Sequence, residues 1–339
     1  MNIKIEKNTA NNISYNLITV RNNVNFEICF TDYGAKIFYI AYPDKSGTMG
    51  KVTTCCKDMY EFLTTGANYG NSVGRVAGRI KDGVAVIAGK EYHFEKNEGK
   101  NSLHSGSSNY GFRPYNFEIK TNDKKTDVIF SLDSPDGDGG FPGNVKVKII
   151  YTICENKKEV TIRFTAKTDA PTLINLTNHV YFNLNGGTGP IYDQELYLRA
   201  SKVAKMDDGL ILQGFEDVPS YLNYLEPTKL GKNITNPILV NHRAGGMDHV
   251  FLFDGINKTA PSAILYDRAT KRKMTMYTSY PAVVVYTDNY PSKHENLAGV
   301  IDEVNYGITF ESVIPTYKEE DYTFTPEKPF NFVTKYKFN

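Results

Sequence analysis

Val145-Lys-Val-Lys-Ile149 and Glu159-Val-Thr-Ile-Arg-Phe-Thr165 place an apolar side chain at every second position, with lysine, threonine or arginine between. An extended chain points successive residues to opposite faces, so each segment reads as an antiparallel strand with one face buried and one wet. The same alternation recurs in Phe26-Glu-Ile-Cys-Phe30, Asp127-Val-Ile-Phe-Ser-Leu132, Glu195-Leu-Tyr-Leu198 and Lys273-Met-Thr-Met-Tyr277. Turn clusters punctuate these runs at Asp136-Gly-Asp-Gly-Gly-Phe-Pro-Gly143, Asn185-Gly-Gly-Thr-Gly-Pro190 and Gly245-Gly246. The best helical segment, Asp58-Met-Tyr-Glu-Phe-Leu63, is short. No low-complexity linker and no long repeat divides the chain. The expectation is one all-β domain over residues 1–339, a large antiparallel β-sandwich with few short helices and more strands than a small immunoglobulin-like unit. The two glycine-rich loops at 136–143 and 185–190 are expected to be hairpin connections. Neither is a strand-to-helix turn, and neither carries the Lys-Ser/Thr ending of a phosphate-binding loop.

Composition narrows the function. The chain has 339 residues, 40% of them apolar, with 24 Tyr, 19 Phe and no Trp, enough for a sizeable core. Its 39 basic and 38 acidic residues leave a net charge of +1, without the basic stripe that a grip on nucleic acid requires. The N-terminal Met1-Asn-Ile-Lys-Ile-Glu-Lys-Asn lacks the apolar run of a signal peptide. Apolar stretches such as Ala282-Val-Val-Val-Tyr286 are far too short to span a bilayer. Cys29, Cys55, Cys56 and Cys154 form no metal-spaced set, and adjacent cysteines are poorly placed to bridge each other. Reduced thiols in a cytoplasmic protein are the expected state.

The chemistry concentrates around Pro171-Thr-Leu-Ile-Asn-Leu-Thr-Asn-His-Val-Tyr-Phe-Asn-Leu184, where an imidazole and two amides break a strand-like alternation. A buried His179 must find partners for both ring nitrogens; it is either a satisfied core residue or a proton carrier. Glu311, after Gly307-Ile-Thr-Phe310, is ionised at an ordinary pKa of about 4.3 and able to accept a proton, unless it is only an exposed strand end. With a histidine near about 6.5 the two would make a base and an acid needing little retuning. His104 lies in Asn101-Ser-Leu-His-Ser-Gly106, among small residues that allow a ligand close, although a surface histidine would look the same. Asp248 in Gly245-Gly-Met-Asp-His-Val-Phe251 can bind hydroxyls or cap a turn. Arg79 offers a planar fork of donors, but Arg75 nearby is chemically equivalent on paper. A metal site from His242, Asp248 and His249 matches no strong ligand spacing, and no metal is expected.

At these residues the chain resembles the aldose 1-epimerase family, the galactose mutarotases. The matching stretches, in family order, are Asn71-Ser-Val-Gly-Arg-Val-Ala-Gly-Arg-Ile-Lys-Asp-Gly83, Asn101–Gly106, Asn175–Leu184, Gly246–Phe251, Val285-Tyr-Thr-Asp-Asn289 and Gly307–Glu311. The resemblance implies the galactose mutarotase-like supersandwich with an open cleft. It implies Glu311 as general base at the anomeric hydroxyl and His179 as general acid at the ring oxygen. His104 would assist beside the sugar, Arg79 and Asp248 would bind its hydroxyls, and Gly78, Val180 and Tyr181 would line the site. The family often has Asn where Gly78 stands. The substrate implied is a free aldose such as D-galactose or D-glucose. No cofactor is required, and no nucleic acid or membrane partner; a monomer or homodimer is expected.

The same residues admit three rivals: a sugar-phosphate or disaccharide epimerase on the same scaffold, a glycoside hydrolase using Asp248 and Glu311, and a non-catalytic carbohydrate-binding protein. A hydrolase would need its two carboxylates about 5–10 Å apart across a scissile bond.

Overall fold

The computed structural model describes residues 1–256 and 259–339. Val145–Ile149 and Glu159–Thr165 lie in the strands Val145–Cys154 and Glu159–Thr168, paired antiparallel with Val145 opposite Thr168. Their alternation is realised in space: Val145, Val147, Ile149, Tyr151 and Ile153 are buried, while Lys146 and Lys148 are exposed. Each aliphatic side chain removed from water contributes about 1.5–3 kcal/mol, set against the entropy of ordering the chain.

These strands belong to a nine-stranded sheet ordered Asn116–Thr121, Lys125–Ser134, Val145–Cys154, Glu159–Thr168, Phe330–Phe338, Lys273–Thr278, Ala263–Tyr266, Glu195–Leu198, Thr228–Lys229. A seven-stranded sheet runs Leu212–Asp217, Lys202–Met206, Asp248–Leu252, Ala282–Tyr286, Ile308–Val313, Tyr181–Phe182, Thr53–Thr54. The N-terminal residues make a five-stranded meander from Asn2–Ala10 to Met49–Lys51. The two large sheets meet through aromatics. Phe182 lies 5.0 Å from Tyr336 and 6.3 Å from Phe338 between ring centres, and the Tyr336 hydroxyl donates to the Phe310 carbonyl at 3.2 Å. Phe26 of the N-terminal region packs on Phe338 at 5.4 Å, joining the third sheet to the same core.

Along Ile308–Val313 the alternation sends Ile308 and Phe310 into this core and Glu311 and Val313 to the other face. That outer face of the seven-stranded sheet carries the cleft.

The short helix Met59–Thr64 lies one residue beyond the expected segment Asp58–Leu63, because Asp58 caps it from outside, accepting from the Glu61 N–H at 3.0 Å. Its other end is closed by the buried Lys36 ammonium, which donates to the Phe62 and Leu63 carbonyls at 2.9 and 3.0 Å. The described α-helices are otherwise Leu230–Ile234, Pro237–Val240 and Glu319–Tyr322, all short. None is long and apolar enough to cross a membrane.

The loop 136–143 is the hairpin expected, joining paired strands. The loop 185–190 is not. It leaves Tyr181–Phe182 in the seven-stranded sheet and leads to Glu195–Leu198 in the other, so it crosses the sandwich. Asn183 and Asn185 make the crossing: Asn185 Oδ1 accepts from Gly187 and Thr188, and Asn183 Nδ2 donates to the Gly189 and Tyr306 carbonyls.

Candidate active site

The alternation of Pro171–Leu184 resolves into three two-residue strands, Thr172–Leu173, Thr177–Asn178 and Tyr181–Phe182, with His179 between the last two. The amides beside it are structural. Asn178 Nδ2 donates to the Gly70 and Asn71 carbonyls, and its Oδ1 accepts from Val180. Asn175 bonds Ala77 and both backbone groups of Ile314, tying the Gly78 loop to the strand that carries Glu311. His179 is thereby held from both backbone sides, donating to Asn71 O at 2.8 Å and accepting from Gly70 N at 3.0 Å.

A hairpin supplies the second group of residues. Arg79–Ile80 pairs with Ser102–Leu103, Leu103 opposite Arg79, and His104 follows with φ +52°. His104 and Gly78 exchange hydrogen bonds: His104 N donates to Gly78 O at 3.0 Å, and Gly78 N donates to His104 Nδ1 at 3.1 Å. In the neutral ring the proton must then sit on Nε2, which makes that nitrogen a donor. Gly78 has φ +84°, and a Cβ there would meet only Thr316 Oγ1, at 4.0 Å. Room for a side chain exists beside the site.

These elements enclose a cavity of about 300 Å³. Within it His179 Nε2 lies 3.3 Å from Glu311 Oε1, both side chains over nine-tenths buried. Histidine rings 104 and 179 meet edge-on at 5.8 Å, and Tyr181 and Tyr286 flank His179 at 5.1 and 6.2 Å. Arg79 Nη2 approaches Asp248 Oδ2 at 3.7 Å.

Burial changes the proton affinities. It pushes the Glu311 carboxyl up to about 8, with Asp248 adding to the effect and Arg79 opposing it. It pulls His179 down to about 4 and His104 well below the ordinary range, His104 being lowered further by His179 and Arg79. Asp248 is raised by burial and lowered by Arg79. The ordinary proton affinities expected for Glu311 and His179 are therefore wrong, because both lie out of water. With Glu311 raised to about 8 and His179 lowered to about 4, the carboxyl is protonated and the imidazole neutral at pH 7, one proton for two groups 3.3 Å apart.

Of the residues singled out from sequence, Glu311, His179, His104, Arg79, Asp248, Gly78 and Tyr181 line this cavity. Val180 does not. It is 2% exposed and packs in the main core, because the extended chain turns it away from the face shared by its neighbours His179 and Tyr181. The structure also separates the two arginines. Arg75 is buried, with its donors spent on Tyr110, Ser134, Thr172 and the Pro142 and Gly143 carbonyls. Glu98, Tyr286, Tyr290 and the apolar Met206 and Leu210–Leu212 also line the cavity and were not found by sequence reasoning. Only Tyr286 had a signal, inside the Val285–Asn289 match.

Ligand atoms of His104, His179 and Glu311 lie within 4.8 Å of one another, close enough to suggest a cation. The tautomer argues otherwise: His104 Nε2 is a donor, and His179 Nε2 is turned onto Glu311. This set suits hydroxyl groups better than a metal. His242 and His249 sit ring to ring at 5.7 Å, but Asp248 faces the cavity from the opposite side of the strand, so that trio does not converge.

Comparison with known proteins agrees with this geometry. The family model described as aldose 1-epimerase matches residues 16–311. A galactose mutarotase of Bos taurus is 32% identical over 263 residues, 76% of this chain and 73% of the relative. An aldose 1-epimerase of Escherichia coli is 27% identical over 341 residues, 96% of this chain and 95% of the relative. Among solved structures, a galactose 1-epimerase from Lactobacillus acidophilus superposes with a TM-score of 0.88 at 23% identity, covering 100% of this chain and 98% of its own, a likeness of fold. The chain belongs to the aldose 1-epimerase family, whose members are isomerases.

Proposed function

We propose that this enzyme interconverts the α and β anomers of a free hexose, D-galactose or D-glucose, by acid–base ring opening and reclosure. The observation that carries the reading is the 3.3 Å approach of His179 Nε2 to Glu311 Oε1 at the cavity wall. The hydroxyl O1 and the ring oxygen O5 of a pyranose share one carbon, so the groups that serve them must be neighbours.

The shared proton gives both roles at once. Passing it from Glu311 to His179 leaves a carboxylate to accept the O1 proton and an imidazolium to protonate O5. As the C1–O5 bond breaks, O1 becomes the aldehyde oxygen. Rotation about C1–C2 presents the other face, O5 adds back to C1 as His179 recovers its proton, and Glu311 returns one to O1. No proton is consumed overall, and no redox or group transfer occurs. His104, with Nε2–H as donor, orients the oxygens near C1, while Arg79 and Asp248 hold ring hydroxyls. Each positioned proton transfer contributes about 10²–10⁴-fold, sufficient for a ring opening that already proceeds in water.

Polarimetry on freshly dissolved α-D-galactose tests the reading. The expected result is faster relaxation to an unchanged final rotation, nearly abolished by Glu311→Gln and strongly reduced by His179→Asn. Relaxation at the buffer rate would identify a carbohydrate-binding protein instead.

A further inference from the structure

Arg79 does not stand alone in the cavity. Glu98 grips one edge of its guanidinium, Oε2 accepting from Nε at 2.6 Å and Oε1 from Nη2 at 2.8 Å, with both side chains largely buried. A planar fork met by two carboxylate oxygens is fixed in orientation as well as position. With Nη2 also 3.7 Å from Asp248, Nη1 makes no hydrogen bond among the described residues, and it is not sealed away from the cavity.

Glu98 is itself anchored. It exchanges backbone hydrogen bonds with Asn101 across a tight turn in which Gly99 has φ +60°, and Asn101 accepts from Asp82 N and donates to Gly209 O. The turn feeds directly into Ser102–Leu103, the strand paired with Arg79–Ile80. One hairpin therefore carries the arginine, its carboxylate brace and His104.

We propose that Glu98 is a positioning residue of the sugar site, which holds Arg79 by its Nε–Nη2 edge so that Nη1 is presented to the substrate, and which shares the arginine's charge with Asp248 and Glu311. The inference rests on the proposed sugar chemistry and adds a residue to it. The charge balance matters because Arg79 favours the ionised form of Glu311. Glu311 is otherwise faced by His179, His104, Asp248, Tyr181 and Tyr336. A brace that absorbs part of Arg79's charge keeps Glu311 protonated at neutral pH.

Three variants separate the two parts of the role. Glu98→Asp keeps the charge but shortens the arm, so KM for D-galactose rises about tenfold while the pH profile stays parental. Glu98→Gln removes the charge at the same length, so KM rises and the alkaline limb of kcat/KM moves to lower pH. Glu98→Ala combines both effects. Parental KM and parental pH limbs in all three would overturn the inference, whatever happens to the melting temperature. Calorimetric titration with D-galactose reads the same brace without turnover. If the parent binds galactose but does not speed anomer exchange, the functional proposal fails. The brace then stands or falls on whether Glu98→Ala weakens binding.

Discussion

Titrating the His179–Glu311 pair should leave a distinctive trace in kcat/KM. Glu311 loses its proton near about 8 and neutral His179 gains one near about 4, so the pair carries one proton between those limits. The productive form, carboxylate plus imidazolium, has the same proton count as the resting neutral pair. The gap between the two values bounds the cost of reaching it at about 5 kcal/mol, before the mutual attraction of the charges is credited. Activity should therefore hold a plateau from about pH 5 to pH 7, fall to about half at pH 8 and to about a tenth of the plateau at pH 9. Polarimetry of α-D-galactose measures this, with the buffer rate subtracted at every pH because ring opening in water is itself acid–base catalysed. In His179→Asn the shared proton has no second holder, and residual activity should climb through pH 8 as Glu311 ionises. A parent profile that keeps rising past pH 8 would refute the shared proton and leave Glu311 acting alone as a base.

Replacing Glu311 by Gln should lower kcat about 10²-fold or more while stabilising the fold in alkali. The raised carboxyl contributes stability below its unfolded pKa of about 4.5 that is lost as pH rises through about 8. The Gln variant should thus gain about 4 kcal/mol on the parent in urea melts between pH 5 and pH 9, and a gain that shrinks with pH would contradict a buried carboxyl. Arg75→Met should cost about 3 kcal/mol or more in the same melts with KM unchanged, whereas Arg79→Met should raise KM; a parental KM in Arg79→Met with a raised one in Arg75→Met would show that the arginine roles are exchanged. Val180→Ala should cost about 1–3 kcal/mol by leaving a core cavity, with KM unchanged; a raised KM at parental stability would return Val180 to the site.

Much of the fold was legible because half-buried antiparallel strands write their burial directly into the chain. The lysines at 146 and 148 lie outside and the valines at 145 and 147 inside, as their alternation requires. The helix Met59–Thr64 was legible to within one residue as the segment Asp58–Leu63. The loop 185–190 was misread because glycine-rich composition marks a turn without saying which sheet the chain enters next. Within the site, residue types announced His179 and Glu311, but neither their proton affinities nor their contact could be read, since both depend on burial by distant strands. Arg75 lies in a bend and Arg79 in the strand Arg79–Ile80, a difference of local backbone that two identical guanidinium groups do not announce. Val180 was drawn in by its neighbours, although an extended chain alternates faces. Glu98 had no signal at all: an acidic residue before a turn reads as solvated surface until the hairpin register sets it against Arg79.

A structure with D-galactose bound would place the sugar against these groups. The account requires O1 within hydrogen-bonding reach of the Glu311 carboxylate and O5 within reach of His179 Nε2, with Arg79 Nη1 on a ring hydroxyl. A sugar seated with C1 against Met206 and Ile211, and neither Glu311 nor His179 touching O1 or O5, would contradict it.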